Sequence, residues 1–223
     1  MEDEWNEDQA LQECQKEISA LVKDLPEVVD PAELTLKSKM PFKVMSLSEL
    51  LRHRLGDLVQ AALDMYRSTQ VIPAFVLTRA CLESSSLHYL LLAKVGRFMK
   101  DGNAEALDQF LARALLGSRD GEHTHPAINV LDAIDRVDKE YVGFRGMYDG
   151  LSEYTHPNQR GVLGSYAKFD DVKGRLEIGR LKSKISKAIG LAPLLMSVTI
   201  FANCYNELEA MIPRLNQHFE GTA

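Results

Sequence analysis

The sequence lacks the short motifs that most often reveal a reaction. Its 223 residues contain no Walker-type phosphate loop, no Gly-x-Gly-x-x-Gly after a strand pattern, no His-Glu-x-x-His and no Cys-x-x-Cys. Nucleotide-dependent chemistry of the common kinds is therefore unsupported, and we predict that the protein uses no cofactor.

Cysteine is scarce as well. Cys14, Cys81 and Cys204 lie far apart in the chain, and an odd, scattered set is typical of free thiols rather than of a disulfide framework. The first eight residues are acidic, whereas a secretory signal begins with positive charge followed by an apolar segment. Both observations predict a cytoplasmic protein.

The chain has no surplus of positive charge, since its formal net charge at pH 7 is −6. We therefore expect no DNA binding, and any contact with RNA would need a local basic patch. Arg52-His53-Arg54 and the segment from Lys168 to Lys187 are the two candidates. Ordinary solvated surface is the alternative interpretation of both.

Long apolar runs are absent too. The uncharged stretch from Ile189 to Cys204 is shorter than the roughly 20 residues that a membrane span needs, and Pro193, Ser197 and Asn203 interrupt it. We predict that it forms a buried core helix, without membrane association.

What the sequence does have is apolar residues at helical spacing over most of its length. They predict a mainly all-α fold, an antiparallel bundle with helices over about 5–22, 46–68, 70–98, 104–116, 126–137, 143–155 and 183–218. Ser46-Leu-Ser-Glu49 resembles a capping box, which predicts that the second helix begins there. Pro26, Pro31 and Pro41 predict an extended connection before it.

Alternating segments on either side of Asp170–Gly174 predict a small β-hairpin near 162–180. Because an isolated hairpin is only marginally stable, we expect it to lie on the helices. We treat 1–223 as a single domain. Within it, 1–45 holds the first helix and the Pro-punctuated extension, and 46–223 holds the core bundle with the hairpin.

The first candidate site lies in the most apolar helix, where Arg79 and Glu83 are four residues apart and share one face. Charges among apolar residues are costly to bury unless they are paired. They are either a structural ion pair at a helix or dimer contact, or the lining of a polar site. Cys81, between them, has no sequence-adjacent base that would activate it.

The second candidate is the segment Leu151–Asn158. Pro157 blocks continuation of the helix, so His156 falls at a carboxyl end, whose partial negative charge favours a protonated imidazole. His156 is either a cap that binds the last carbonyls or a general acid–base. Ser152, one turn earlier, would permit a Ser–His dyad.

Glycines crowd the helix that leads to this segment. Gly143, Gly146 and Gly150 each cost about 1 kcal/mol in a helix relative to alanine. They imply either the close approach of another helix or a late helix start.

A metal site is a weaker alternative. Glu122-His123-Thr124-His125 places two imidazoles and a carboxylate within four residues, and an extended His-x-His can bind zinc. Two nearby ligands do not complete a site, so we predict a polar loop and no metal.

Arg-Ala-Cys-Leu-Glu at 79–83 and Leu-Ser-Glu-Tyr-Thr-His-Pro-Asn at 151–158, followed by a Gly-rich exit, resemble a group of uncharacterised bacterial helical proteins with a HEPN-like fold. The resemblance covers about a third of the chain. It implies a helical bundle that is often dimeric and, in many members, a metal-independent ribonuclease of bacterial defence or toxin systems.

The HEPN ribonuclease signature is an arginine followed, after four to six residues, by a histidine on the same helix. This chain departs from it, because the arginine nearest before His156 is Arg145, eleven residues away, and Arg79 precedes His88 by nine.

Two hypotheses follow. In the first, the chain is an interaction or scaffold protein of HEPN-like type that acts through a homodimer or a protein partner. In the second, it is a ribonuclease or nucleotide-binding protein with catalytic Arg79, Glu83 and His156 and binding residues Ser152, Tyr154 and Asn158. RNA would then be a ligand, with His156 as acid–base and Arg79 stabilising phosphate charge.

Overall fold

Three long helices form the centre of the molecule. The computed structural model describes residues 6–118, 125–179 and 185–221, and in them α3 packs between α2 and α8. The helices are α1 Glu7–Val22, α2 Met40–Arg67, α3 Val71–Asp101, α4 Ala104–Leu116, α5 Val130–Asp138, α6 Phe144–Thr155, α7 Gly164–Tyr166 and α8 Ala188–Gly221. A 3-10 turn spans Pro31–Glu33, and a π-helical turn spans Gln159–Leu163. The predicted mainly α fold with a small hairpin is confirmed.

The apolar spacing seen in the sequence becomes one buried core. Side chains from α1 to α6 and from α8 join it, with Ile18, Leu55, Phe75, Phe144 and Phe201 fully buried. Residues three or four apart on each helix face this core, because that spacing follows the helical turn.

Side chains and glycines set the ends of several helices. Asn6, Asn103 and Asn129 each accept a hydrogen bond from a backbone N–H of the first turn. Gly102 ends α3 in the left-handed conformation, with φ of 68°. A turn at 68–70 joins α2 to α3 and reverses the direction of the chain.

Two predicted helix starts are wrong. Helix α2 begins at Met40, not at Ser46, because Pro41 occupies its first turn, where a missing N–H does no harm. The helix therefore crosses the predicted boundary between the N-terminal extension (1–45) and the core bundle (46–223). Pro126 is not helical but pairs with Ser118 in an isolated bridge, and α5 begins only after Asn129. Trp5 and Ser183, the predicted starts of the first and last helices, lie outside the described residues.

The late start of α6 explains one of the three glycines. Gly143 precedes the helix with φ of 98°, a conformation that side chains avoid, whereas Gly146 and Gly150 lie inside the helix, which begins at Phe144. The close approach of another helix is wrong, since a Cβ at Gly146 or Gly150 would meet no atom within 4 Å.

The hairpin pairs β1, Ala167–Asp170, with β2, Arg175–Ile178, in antiparallel register. Its main contact beyond itself is with the π-helical turn, so the expectation that it lies on the helices is wrong. Val162 and Leu163 belong to that turn rather than to a strand.

Helix α8 contains both Pro193 and Pro213, and Pro213 does not end it. In the described part of the chain it is the one helix long and apolar enough to cross a membrane, with a mean hydropathy of 1.6 over its most apolar window. Half of that window is buried within the protein.

Candidate functional site

Arg79 and Glu83 meet two side chains of α6. Arg79 Nη1 lies 3.2 Å from Glu83 Oε1, and Arg79 Nε donates a hydrogen bond of 2.9 Å to Ser152 Oγ. Arg79 Nη2 donates to Tyr148 Oη, which in turn donates 2.9 Å to Glu83 Oε1. The guanidinium carbon also lies 4.6 Å from the Tyr148 ring centre. We call these four residues the α3–α6 cluster.

The partners of Arg79 limit its chemistry. All three guanidinium nitrogens are engaged within the cluster, and the Glu83 carboxylate neutralises the charge. Burial and the hydrogen bond to Glu83 raise the pKa of Tyr148 to about 12, so its phenol is protonated at neutral pH. The cluster therefore holds α3 against α6.

The side chain of His156 does not join this network. It follows the last residue of α6, its backbone N–H donates to Ser152 O at 3.2 Å, and its side chain is exposed. Among the described residues, no hydrogen bond or ion pair joins its imidazole to Arg79, Glu83 or Ser152. The backbone of His156, rather than its ring, thus caps the helix.

The other two predicted binding residues, Tyr154 and Asn158, have structural contacts. Tyr154 is half-buried, with its ring edge-on to Phe75 at 5.1 Å. Asn158 accepts from Gly161 N at 2.9 Å and donates to Glu153 Oε2 at 3.0 Å, which caps the π-helical turn.

Sequence reasoning missed a second cluster, built from α2 and α8. Tyr205 Oη donates 2.6 Å to Glu49 Oε1, and Arg52 Nη1 donates 3.2 Å to the same phenol. The Arg52 guanidinium carbon lies 4.9 Å from the Tyr205 ring centre. We call Glu49, Arg52 and Tyr205 the α2–α8 cluster. The available signal was a Glu and an Arg three residues apart in an apolar helix, the same kind of signal that Arg79 and Glu83 gave.

These positions correct two interpretations. Glu49 is buried inside α2 and is not a capping residue. Arg52 is not part of a solvated basic patch, because it also donates to the carbonyls of Leu21 and Lys23 at 3.0 and 2.7 Å, where α1 ends.

A buried Ser–His pair lies beside this cluster. Ser48 Oγ is 2.9 Å from His88 Nε2, and both side chains are sealed from solvent. Burial lowers the pKa of His88 to about 3, so the imidazole is neutral, and its Nδ1 has no hydrogen bond. No substrate reaches this pair in the folded chain, and we assign it a structural role.

The remaining candidates from the sequence are Cys81 and the segment 122–125. Cys81 is fully buried, and burial raises the pKa of its thiol far above the usual range, which removes the reactive thiolate. Glu122, His123 and Thr124 lie outside the described residues. Elsewhere in the described chain, no three His, Cys, Asp or Glu side chains are placed to hold a metal ion.

Comparisons of the chain with protein-family models, with curated proteins and with solved structures find no match in any of the three.

Proposed function

We propose that this chain is a non-catalytic helical interaction protein that forms a symmetric dimer through its β-hairpin. It would be an interaction protein of the HEPN-like type that its sequence resembles. The observation that carries the proposal is an amphipathic hairpin whose apolar side faces solvent.

In the register of the hairpin, apolar and charged side chains lie on opposite faces. Ala167 pairs with Ile178 and Phe169 pairs with Leu176, so these four residues share one face, which we call the hairpin face. Phe169 is 57% exposed, Leu176 47% and Ile178 76%. The opposite face is charged, with Arg175 bridging to Asp170 at 3.6 Å.

This arrangement calls for a partner. A two-stranded hairpin is marginally stable alone, and this one has little contact with the helices. Contiguous exposed apolar surface on a folded protein commonly marks an interaction site. A partner that covers the hairpin face would supply the burial that the chain itself does not.

A second copy of the chain fits this surface. The hairpin face carries no charge, so a two-fold axis through it brings no like charges together despite the net charge of −6. Val162 and Leu163, in the π-helical turn that contacts β1, add further exposed apolar side chains. A specific dimer interface would have to bury about 1,000 Å² or more in total.

The α3–α6 cluster favours this function over phosphodiester cleavage. Each guanidinium nitrogen of Arg79 already has a partner in the cluster, and Glu83 neutralises its charge, so a phosphate would have to compete with these partners. The three buried free cysteines fit the cytoplasmic location that we also propose.

The test measures the dissociation constant of the dimer by analytical ultracentrifugation from about 1 to 200 μM. We expect self-association in the micromolar range, and at least a tenfold weakening in Phe169→Lys and in Ile178→Lys. Val142→Lys is the matched control, because Val142 is 89% exposed but lies between α5 and α6. A monomer at every concentration, or equal weakening by all three variants, would refute the proposal.

Incubation with RNA tests the alternative function, that of a metal-independent ribonuclease. Mixed RNA is incubated with the wild-type protein and with His156→Ala, and the products are separated on a gel. We expect no cleavage by either protein. Cleavage by the wild type that His156→Ala abolishes, with unchanged melting, would establish the ribonuclease instead.

A further inference from the structure

The outer edge of β2 carries backbone groups that the rest of the described chain does not pair. Gly179 N donates to Tyr166 O, and in the register of the hairpin the bonded residues alternate, so Glu177 also bonds to β1. The N–H and C=O groups of Leu176 and Ile178 therefore point away from β1. Among the described residues, no backbone hydrogen bond reaches them. β2 thus presents an open strand edge.

The two edges of the hairpin differ in what lies beside them. The π-helical turn Gln159–Leu163 contacts β1, whereas the main contact of β2 is β1 itself. The side chains of β2 are also exposed, and that of Arg175 is 57% exposed. Of the two edges, that of β2 is the one open to a further strand.

The charges of β2 favour a second copy of β2 as that strand. Arg175, Leu176 and Glu177 are positive, apolar and negative in turn. In antiparallel pairing with Leu176 opposite Leu176 of the second copy, each Arg175 lies opposite Glu177 of the second copy. Opposite charges in such cross-strand positions are stabilising and like charges are destabilising. A register shifted by two residues would instead place Glu177 opposite Glu177, so the charges select the first register.

The backbone fits the same register. Leu176 is a residue whose N–H and C=O groups point outward, so the two copies would exchange a pair of hydrogen bonds between their Leu176 residues. Within each strand Arg175 Nη2 lies 3.4 Å from Glu177 Oε1. The four charges of the two strands would therefore alternate in sign around the two-fold axis, while the hairpin faces lie side by side on the other surface of the sheet.

We propose that β2 is an edge strand that pairs antiparallel with β2 of a second copy and so forms a four-stranded sheet. This contact uses the strand edge and the charged face, so it does not depend on contact between hairpin faces. Two backbone hydrogen bonds and two exposed ion pairs form a weaker contact than a buried apolar face. A chain that makes both contacts forms a tetramer, with a different two-fold axis for each.

The experiment is charge complementation, followed by sedimentation velocity of the full chain at up to about 1 mM. Every protein carries Phe169→Lys, which weakens contact between hairpin faces and leaves the β2 edge intact. Arg175→Glu alone, or Glu177→Arg alone, places like charges opposite each other, and we expect each to weaken association about tenfold. In a 1:1 mixture of the two, opposite charges face each other again, and association should return to within about threefold of the background protein.

β1 supplies the matched control, because Lys168, Phe169 and Asp170 repeat the charge pattern on the edge that the π-helical turn contacts. Mixing Lys168→Glu with Asp170→Lys should give no gain over either protein alone. The proposal is overturned if the Arg175→Glu and Glu177→Arg mixture gains nothing, or if the β1 mixture gains as much. Misfolding does not imitate a gain, since the mixture contains the same chains. Failure of the hairpin-face dimer is recognised separately, because Phe169→Lys would then leave wild-type association unchanged.

Discussion

The α3–α6 and α2–α8 clusters are built from the same three side-chain types. In both, a tyrosine from a later helix donates to a glutamate while an arginine of the same helix as the glutamate lies over the tyrosine ring. They differ in burial, since the Arg79 and Glu83 side chains are 31% and 26% exposed and those of Arg52 and Glu49 are 13% and 6% exposed.

The difference in burial goes together with a difference in how completely each Arg–Glu–Tyr cluster is hydrogen-bonded. The exposed α3–α6 cluster is closed by Ser152, so every group has a partner. The buried α2–α8 cluster leaves Glu49 Oε2 without a hydrogen bond, 3.8 Å from Arg52 Nη1. A recurring Arg–Glu–Tyr contact is thus a way of joining helices, and the buried copy is the one that depends more on its arginine. The following experiments test this contrast.

The largest effect is expected from removing the arginines. Arg52→Met leaves the Glu49 carboxylate buried without a cation, and breaking a buried pair in this way costs about 3–5 kcal/mol. For Arg79→Met we expect a loss of about 1 kcal/mol, because water reaches Glu83. Urea unfolding at pH 7 measures both, and equal losses would contradict the distinction between the clusters.

A pH dependence is expected beside the buried cluster. The pKa of His88 is lowered to about 3 by burial, whereas an unfolded histidine titrates near 6.5. Between these values the unfolded chain binds a proton that the folded chain does not. The free energy of unfolding therefore falls as pH drops below 6.5, by up to about 1.4 kcal/mol per unit.

Unfolding measured between pH 6.5 and 5, above the range of ordinary carboxylates, reports mainly on this histidine, with an expected loss of about 1.6 kcal/mol. His88→Leu should flatten the slope, although the variant is less stable overall. His156→Gln, which alters an exposed imidazole, should retain the wild-type slope. A slope that survives His88→Leu would assign the effect to other groups.

Removing the tyrosine hydroxyl group from each cluster is expected to have a smaller effect on stability than removing the arginine. Tyr205→Phe removes the hydrogen bond to Glu49 Oε1, whose companion oxygen already lacks one, and we expect a loss of about 2 kcal/mol. For Tyr148→Phe we expect about 0.5 kcal/mol, because Glu83 keeps Arg79 and contact with water. Thermal melting of the two variants side by side gives the ranking, and the reverse order would contradict it.

Local signals in the sequence account for much of the fold and part of the sites. Apolar spacing predicts helix 104–116, and α4 spans Ala104–Leu116. The pairing of Arg79 with Glu83 follows from their spacing of four, and the turn at 170–174 locates the hairpin. Each of these features depends on residues within one element or one turn.

Contacts between distant elements were not predictable in this way. Tyr205 meets Glu49 across 156 positions, and Tyr148 meets Glu83 across 65. The Ser46–Glu49 pattern satisfies the rule for a capping box, yet tertiary contacts place Ser48 against His88 and Glu49 against Tyr205. A sequence pattern of four residues does not distinguish a cap from a buried polar contact in mid-helix.

The smallest effect concerns α6, the helix that supplies Tyr148 and Ser152 to the exposed cluster. A Cβ at Gly146 meets no atom within 4 Å, so Gly146→Ala should raise the free energy of unfolding by about 0.5–1 kcal/mol through helix propensity alone. Gly143→Ala should lower it by a similar amount, because φ there is 98°. Urea unfolding of the two variants measures both. A loss in Gly146→Ala would mean that a neighbour, in this chain or in a second copy, lies against α6, and would revive the close-packing interpretation of its glycines.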